Sequence, residues 1–315
     1  MEYRRLGNTG LKVSEVSLGS WLSNKYAMGE ERSIELARCA YENGINFFDT
    51  ANVYGRGESE ITMGKALSVY DRSSYVLATK VFGGMGDGPN DKGLSRKHIM
   101  EQANASLKRL NMDYVDIIYC HRHDDETPVE ETLRAFDDLI HQGKVFYIGV
   151  SEWTAAQLEE AAYMADRSLL NRFVVNQPHY NMLHRDMEAE VLPVSERLGI
   201  GQVAFSPLAE GVLTGKYTSL GDIPANSRAA SNTSGSLVRH PITEETLRIS
   251  RELKSISDGL GMPMAQMALA WILRIKSMAS VIIGASRIQQ IEENVKASGC
   301  KLPQDAIDAI EKILS

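Results

Sequence analysis

Residues 45–55 read Ile45-Asn46-Phe47-Phe48-Asp49-Thr50-Ala51-Asn52-Val53-Tyr54-Gly55. An apolar run ends in an acid, and a tyrosine followed by a glycine comes five residues later. A strand that delivers Asp49 at its carboxyl end and then turns can hang Tyr54 over the same mouth. A tyrosine alone is a weak acid, with a free pKa of about 10. A neighbouring ammonium favours the phenolate, and an acid can position the ammonium. Partners of both kinds end other apolar runs. Lys80 follows Tyr75-Val76-Leu77-Ala78-Thr79, and His121 follows Tyr114-Val115-Asp116-Ile117-Ile118-Tyr119-Cys120.

Outward from this stretch the same pattern repeats. Asn8-Thr9-Gly10 supplies a turn between Tyr3–Leu6 and Leu11–Val13, which predicts a hairpin within residues 3–18. Val16-Ser17-Leu18-Gly19 reads as a first strand, and Gly19 permits close approach of another backbone or a ligand. Helices are expected at 30–43, 58–69, 96–110, 129–141, 155–165 and 186–198, between strands at 45–49, 75–80, 114–120, 145–150, 172–176 and 200–205. Ser95 suits a helix cap, and Thr154 with Gln157 suits a capping box. After an irregular stretch come helices at 243–260 and 263–275, the strand Val281-Ile282-Ile283, and helices at 287–297 and 303–314.

Eight short apolar strands alternating with helices predict a parallel sheet buried on both faces. The expected fold is therefore an α/β (β/α)8 TIM barrel, one domain over residues 1–315, with an N-terminal β-hairpin and additional C-terminal helices. A doubly wound sheet would need a glycine-rich turn after its first strand. Here Ser20-Trp21-Leu22 follows instead.

The chain has 315 residues, 43% hydrophobic and 24% charged, with a formal net charge of −7. This balance suits a soluble globular protein and gives no electrostatic reason to expect nucleic acid or an anionic membrane as partner. Cys39, Cys120 and Cys300 have no close ligand spacing, and no apolar signal core follows Met1-Glu2-Tyr3-Arg4-Arg5. Reduced thiols and a cytoplasmic location are expected. No apolar run approaches the length that crosses a bilayer.

Barrel active sites gather at the carboxyl ends of the strands. Asp49, Tyr54, Lys80 and His121 all fall there, on adjacent strands. Singly, such an aspartate is more often a cap and such a lysine more often solvated. Together they suit reduction of a carbonyl. Tyr54 gives a proton to the developing alkoxide, Lys80 lowers its pKa, Asp49 holds Lys80, and His121 binds the carbonyl oxygen. None of the four carries a hydride, so a nicotinamide is expected to supply it. His121 and His123 also have the i, i+2 spacing of metal ligands, but His141 falls in a helix and His179, His184 and His240 are scattered. No metal is expected.

Two further stretches bear on a ligand. Residues 206–242 contain Pro207, Gly211, Gly215, Gly221, Pro224, Gly235 and Pro241, too long a run for an ordinary loop. They follow the seventh strand and so would lie over the active face. Gly284-Ala285-Ser286-Arg287-Ile288-Gln289-Gln290-Ile291-Glu292-Glu293-Asn294 reads as a strand end, a glycine and a helix start, with Ser286 and Gln289 as a capping box. A helix amino terminus there offers N–H groups to a phosphate. The plainer alternative is a capped helix with a solvated arginine.

These motifs resemble the aldo-keto reductase family over its whole length. The run 47–55, the Ala78-Thr79-Lys80 strand end and His121 match its catalytic motifs in order. Within the family the chain is most similar to the branch related to voltage-gated potassium channel β subunits. That likeness rests on Gly93-Leu94-Ser95-Arg96-Lys97-His98-Ile99, on Ser206-Pro207-Leu208-Ala209 with Gly211 and Gly215-Lys216-Tyr217, and on Ile223-Pro224-Ala225-Asn226-Ser227-Arg228-Ala229. The animal channel subunits carry asparagine where this chain has His121, which favours an enzyme. The branch also makes a homo-oligomer an expectation.

The resemblance implies an NADPH/NADP+ site across the barrel mouth. Gly19, Ser20 and Trp21 would flank it after the first strand, and Ser151 and Gln177 would hold the nicotinamide carboxamide. Phe205 would stack on the ring, while Ser206, Pro207, Leu208, Gly211 and Lys216 wrap the pyrophosphate. Arg228 would lie near the adenosine phosphate. Gly284 would also border the cofactor, Ser286, Arg287 and Gln290 would receive the 2′-phosphate, and Glu293 and Asn294 the adenine. The position after Ser151 is usually asparagine in the family, and here it is Glu152. Trp21, Tyr54, Phe82, His121 and Trp153 would line a pocket for a small carbonyl substrate. Trp21, Phe82 and Trp153 could equally be aromatics that cover the rim.

Overall fold

Strand alternation decides which side chains meet at the mouth of this fold. The computed structural model describes residues 1–21, 28–221, 223–224, 227, 230 and 242–315. Strands β1 (Tyr3–Arg5) and β2 (Lys12–Ser14) form an antiparallel hairpin. Eight parallel strands close into a barrel: β3 (Val16–Gly19), β4 (Phe47–Asp49), β5 (Val76–Val81), β6 (Val115–Cys120), β7 (Val145–Ser151), β8 (Val175–Gln177), β9 (Gly201–Ala204) and β10 (Met278–Ile283). They are joined in the order β10-β3-β4-β5-β6-β7-β8-β9. Helices α1 (Glu30–Glu42), α2 (Glu58–Leu67), α3 (Arg96–Leu110), α4 (Val129–His141), α5 (Ala155–Arg167) and α6 (Val191–Leu198) connect successive strands. Helices α7 (Glu244–Gly259) and α8 (Met264–Leu273) lie between β9 and β10, and α9 (Ile288–Asn294) and α10 (Gln304–Leu314) follow β10. The fold is the expected (β/α)8 barrel with its hairpin and added helices. Among the described residues no helix is long and apolar enough to cross a membrane.

Successive side chains of a strand point to opposite faces. Phe47, Val76, Ala78, Ile117, Tyr119, Val175 and Val203 fill the barrel interior, with Leu6 and Val13 of the hairpin closing its amino-terminal end. Phe48, Leu77, Ile118, Ile148 and Val150 face outward into the larger core shared with Leu36, Ile99, Phe136 and Leu158 of the helices. The same parity carries Asp49, Lys80 and His121, each two residues past an interior side chain, to the inner side at the carboxyl ends.

Caps read from sequence are in place at two helices. Ser95 accepts from the His98 amide, and Thr154 and Gln157 bond reciprocally. Two expectations are corrected. The helix foreseen at 186–198 is a 3-10 turn (Asp186–Glu188) followed by the shorter α6. Pro193 explains this: its ring would clash with the Ala189 carbonyl in a continuous helix, whereas in the first turn its missing N–H is harmless. The cap of α9 comes from Gln290 rather than Gln289. Its Oε1 accepts from the Ser286 and Arg287 amides at 2.8 and 3.1 Å, because the helix begins one residue later than expected.

Gly149 is packed closely beneath the mouth. A Cβ there would lie 2.5 Å from Val175 Cγ1 and 2.7 Å from the Tyr119 ring. Gly149→Ala is expected to destabilise the barrel by about 1–3 kcal/mol through overpacking, read as a lowered urea midpoint. An unchanged midpoint would contradict this packing.

Candidate active site

Lys80 is fully buried, yet each N–H of its ammonium has a partner. It donates to the Asp49 carboxylate, to the Thr50 carbonyl at 2.9 Å and to the Tyr54 hydroxyl at 3.3 Å. An ammonium has three donors, so none is left over. Because Tyr54 accepts from Lys80, its own hydroxyl proton is directed elsewhere. The His121 ring meets Tyr54 edge-on, with centroids 5.7 Å apart. The four predicted groups therefore converge.

Burial works against the Lys80 charge, but Asp49 and Tyr54 outweigh it and hold its pKa above the usual lysine value. For Tyr54 the expected lowering is corrected. Burial pushes the phenol up, Lys80 pulls it down and Asp49 pushes it up again, with a further downward pull from Arg122. The net result lies above the usual tyrosine value. The ammonium acts in the direction expected but does not overcome burial.

Three supports were not foreseen. Gln177 Nε2 donates to Asp49 Oδ2 at 2.9 Å, on the carboxylate oxygen that Lys80 leaves open. Tyr119 lies in the interior layer beneath; burial, reinforced by Asp49 and only partly opposed by Gln177, pushes its phenol well up and keeps it neutral. The third support holds the loop that carries Tyr54. Gly55, Arg56 and Gly57 turn through left-handed backbone at φ 57, 54 and 95°. Gly57 packs on Arg109, whose Nε donates to Glu60 at 2.6 Å, and Glu60 accepts from Thr79 Oγ1 at 2.5 Å. Glu60 is fully buried and joins α2, α3 and β5. Charged residues in a helix give little sequence signal until the facing element is known.

The residues assigned to a cofactor by resemblance fall at or after the carboxyl ends of β3, β7, β8, β9 and β10, with Gln290, Glu293 and Asn294 within α9. Gly19 and Ser20 end β3, with the glycine so close to Ile282 that a Cβ would fall 2.6 Å from Cγ2. Ser151 donates to the Gln177 carbonyl at 2.9 Å, tying β7 to β8. Phe205 stacks on His179 at 5.1 Å, and His179 on His184 at 4.2 Å. Beyond β9, Ser206, Ala209, Glu210 and Gly211 are left-handed at φ 50, 46, 53 and 104°. Asn181 holds the Ser206 carbonyl, Pro207 is buried and Leu208 half-buried. Exposed Lys216 folds back so that a Cβ on Gly211 would meet its Nζ at 2.6 Å. Gly284, Ser286, Arg287 and Glu293 are exposed after β10, and Asn294 is buried. Arg228 falls outside the described residues.

Trp21 and Phe82 are half-buried, after β3 and β5. Trp153 lies deeper than Trp21 and Phe82. Only 2% of it is exposed, and its ring packs on His123 at 4.7 Å and Phe173 at 5.3 Å. Left-handed Glu152 breaks the strand alternation just before it, and the indole joins the outer core. Glu152 itself pairs with Arg122 at 3.0 Å. His123 bonds to Asp125, and among the described residues no three of His, Cys, Asp and Glu are grouped to hold a metal ion.

A separate cleft of about 530 Å³, lined in part by Tyr70, Arg72, Tyr75, Lys108 and Tyr114, opens where β5 and β6 begin. It is at the opposite end of the barrel from Tyr54. In this fold that end serves stability more often than chemistry. Arg72 is wedged there between Tyr75 and Tyr114 and paired with Asp116 at 2.7 Å.

A probable voltage-gated potassium channel subunit beta from Arabidopsis thaliana is 46% identical over 100% of this chain and 97% of its own length. A protein of the same name from Oryza sativa subsp. japonica is 45% identical, with the same coverage. A putative voltage-gated potassium channel subunit beta from Schizosaccharomyces pombe is 44% identical over 99% of this chain and 93% of its own length. The profile of the Aldo/keto reductase family matches residues 15–315. The chain therefore belongs to the aldo/keto reductase family, a family of oxidoreductases that generally bind NADP(H).

Proposed function

We propose that the chain is an NADPH-dependent reductase that converts aldehydes or ketones to alcohols. The observation that carries this reading is the Lys80 ammonium, buried against Asp49, donating to Tyr54. A phenol that accepts from an ammonium keeps its own proton for a substrate oxygen. Tyr54 gives that proton as charge develops on the carbonyl oxygen. Lys80 stabilises the phenolate left behind, and Asp49, steadied by Gln177, keeps Lys80 charged and aimed. His121 orients the carbonyl oxygen by a hydrogen bond. Bound NADPH supplies the hydride.

The residues present fit such a cofactor. Four left-handed residues within Ser206–Gly211 are a strained loop of the sort found where backbone is shaped to a ligand, at about 1–2 kcal/mol for each non-glycine residue. Lys216, Ser286 and Arg287 offer two cations and a hydroxyl, a donor set suited to phosphate. In this reading Ser151 and Gln177 hold the carboxamide, Phe205 the ring, and Ser206, Pro207, Leu208, Gly211 and Lys216 the pyrophosphate. Gly19, Ser20 and Trp21 flank the site. Gly284 also borders the cofactor, Ser286, Arg287 and Gln290 take the 2′-phosphate, and Glu293 and Asn294 the adenine. Gln290 Oε1 already occupies the Ser286 and Arg287 amides, so phosphate binding there displaces that carboxamide. Trp21 and Phe82, with Tyr54 and His121, suit small carbonyls with apolar bodies. A cytoplasmic location accompanies the reading, and all three cysteines are unpaired.

The names of the relatives favour a second reading, an NADP(H)-binding subunit of a larger assembly that turns over slowly. A homo-oligomer fits either. Steady-state rates on a panel of aldehydes separate the two: tight nucleotide binding without turnover on any of them selects the subunit.

The reductase reading has three consequences. Tyr54→Phe lowers turnover of 4-nitrobenzaldehyde by about 10²–10⁴-fold while NADPH still binds in a fluorescence titration; retained turnover removes Tyr54 as the acid. NADPH binds more tightly than NADH by about 10–100-fold, the range of a single charge-assisted hydrogen bond, and Arg287→Ala narrows the gap. Equal affinity in the wild type contradicts the phosphate site. The Tyr54 phenol, followed by ¹³C NMR of labelled tyrosine and assigned with Tyr54→Phe, titrates above the usual value near 10. In Lys80→Met it moves higher still, because the one strong downward pull is gone. A titration below the usual value rules out the electrostatic account.

A further inference from the structure

The rim of the site carries an ion pair that the proton transfer does not use. Arg122, the residue after His121, donates through Nη1 to the His121 carbonyl and reaches Ser151 Oγ at 3.4 Å. Its Nη2 pairs with Glu152 Oε2 at 3.0 Å. The pair bridges the ends of β6 and β7, in contact with two residues of the proposed site. Glu152 is held there in left-handed backbone at φ 57°, its N–H on the Gln177 carbonyl at 3.3 Å. A non-glycine residue adopts that conformation unfavourably and persists in it only where its surroundings impose it.

The two side chains are 35% and 27% exposed, so solvent screens their fields only in part. The Arg122 charge already reaches Tyr54, pulling its phenol down. Nicotinamide changes charge with its redox state: the oxidised ring is a cation and the reduced ring is neutral. A fixed charge beside the ring therefore distinguishes the two states, and a balanced pair largely cancels that preference.

We propose that the Arg122–Glu152 pair sets the ratio of affinities for oxidised and reduced nicotinamide nucleotide, the carboxylate favouring the oxidised form and the guanidinium opposing it. This rests on the reading of Ser151 and Gln177 as neighbours of the nicotinamide. Glu152 then acts through its charge, in place of a direct hydrogen bond to the carboxamide.

The test is calorimetric titration of the purified protein with NADP+ and with NADPH at low ionic strength, on the wild type, Glu152→Gln, Arg122→Gln and the double variant. Glu152→Gln is expected to weaken NADP+ relative to NADPH by roughly three- to tenfold, as for one partly screened charge at the rim. Arg122→Gln shifts the ratio the other way by a similar factor, and the double variant returns toward the wild-type ratio. Local unfolding cannot produce opposite signs in the single variants and restoration in the double. Added salt shrinks both shifts. A ratio unchanged across the four proteins, or shifts of one sign, overturns the proposal and leaves the reductase reading standing. A wild type that binds neither nucleotide overturns that reading, and this proposal with it.

Discussion

A buried ammonium is the constraint on which the barrel mouth depends. Removing an ion from water is unfavourable by several kcal/mol even after the protein relaxes, and removing one partner of a buried pair destabilises by about 3–5 kcal/mol. Lys80 is tolerable only because Asp49, the Thr50 carbonyl and Tyr54 take all three of its protons. Those acceptors come from β4 and the loop after it, so the ion pair also fixes how that loop leaves the barrel. The group that makes Tyr54 useful as an acid is thus one that the fold cannot lose without a large loss of stability.

Strand β5 carries this logic to both of its faces. Lys80 points inward to Tyr54, and Thr79 points outward to Glu60, which also accepts from Arg109. One contact sets the charge beside the phenol, and the other anchors the turn from which the phenol hangs. Beneath them Ala78, Ile117, Tyr119 and Val175 make the floor of the mouth. In that poorly solvated setting each charge acts more strongly than it would in water. The same setting explains why burial outweighs the ammonium at Tyr54.

Much of this was legible from spacing. The barrel followed from eight apolar runs, and strand parity alone brings Asp49, Lys80 and His121 to one mouth. The Ser95 and Thr154 caps were readable because capping is local chemistry. Pro193 was also visible, and its demand to sit in a first turn explains the shortened α6. What spacing could not express is partnership across the fold. Glu60 and Arg109 look like any helix charges until α2 and α3 are packed together. Gln177 has no written link to Asp49, more than a hundred residues away. Trp153 reads as a rim aromatic until the turn at Glu152 seats it on Phe173. The Tyr54 pKa depends on burial, which a motif does not carry.

The names of the relatives make turnover, as against the mere holding of a nucleotide, the central question for this constellation. The most direct measurement is a single-turnover reaction of the protein with 4-nitrobenzaldehyde and NADPH carrying deuterium at both C4 positions, with the alcohol analysed by mass spectrometry against a protein-free control. The account predicts 4-nitrobenzyl alcohol with one deuterium on the carbinol carbon. Absence of alcohol above the control, or alcohol without that deuterium, would contradict it.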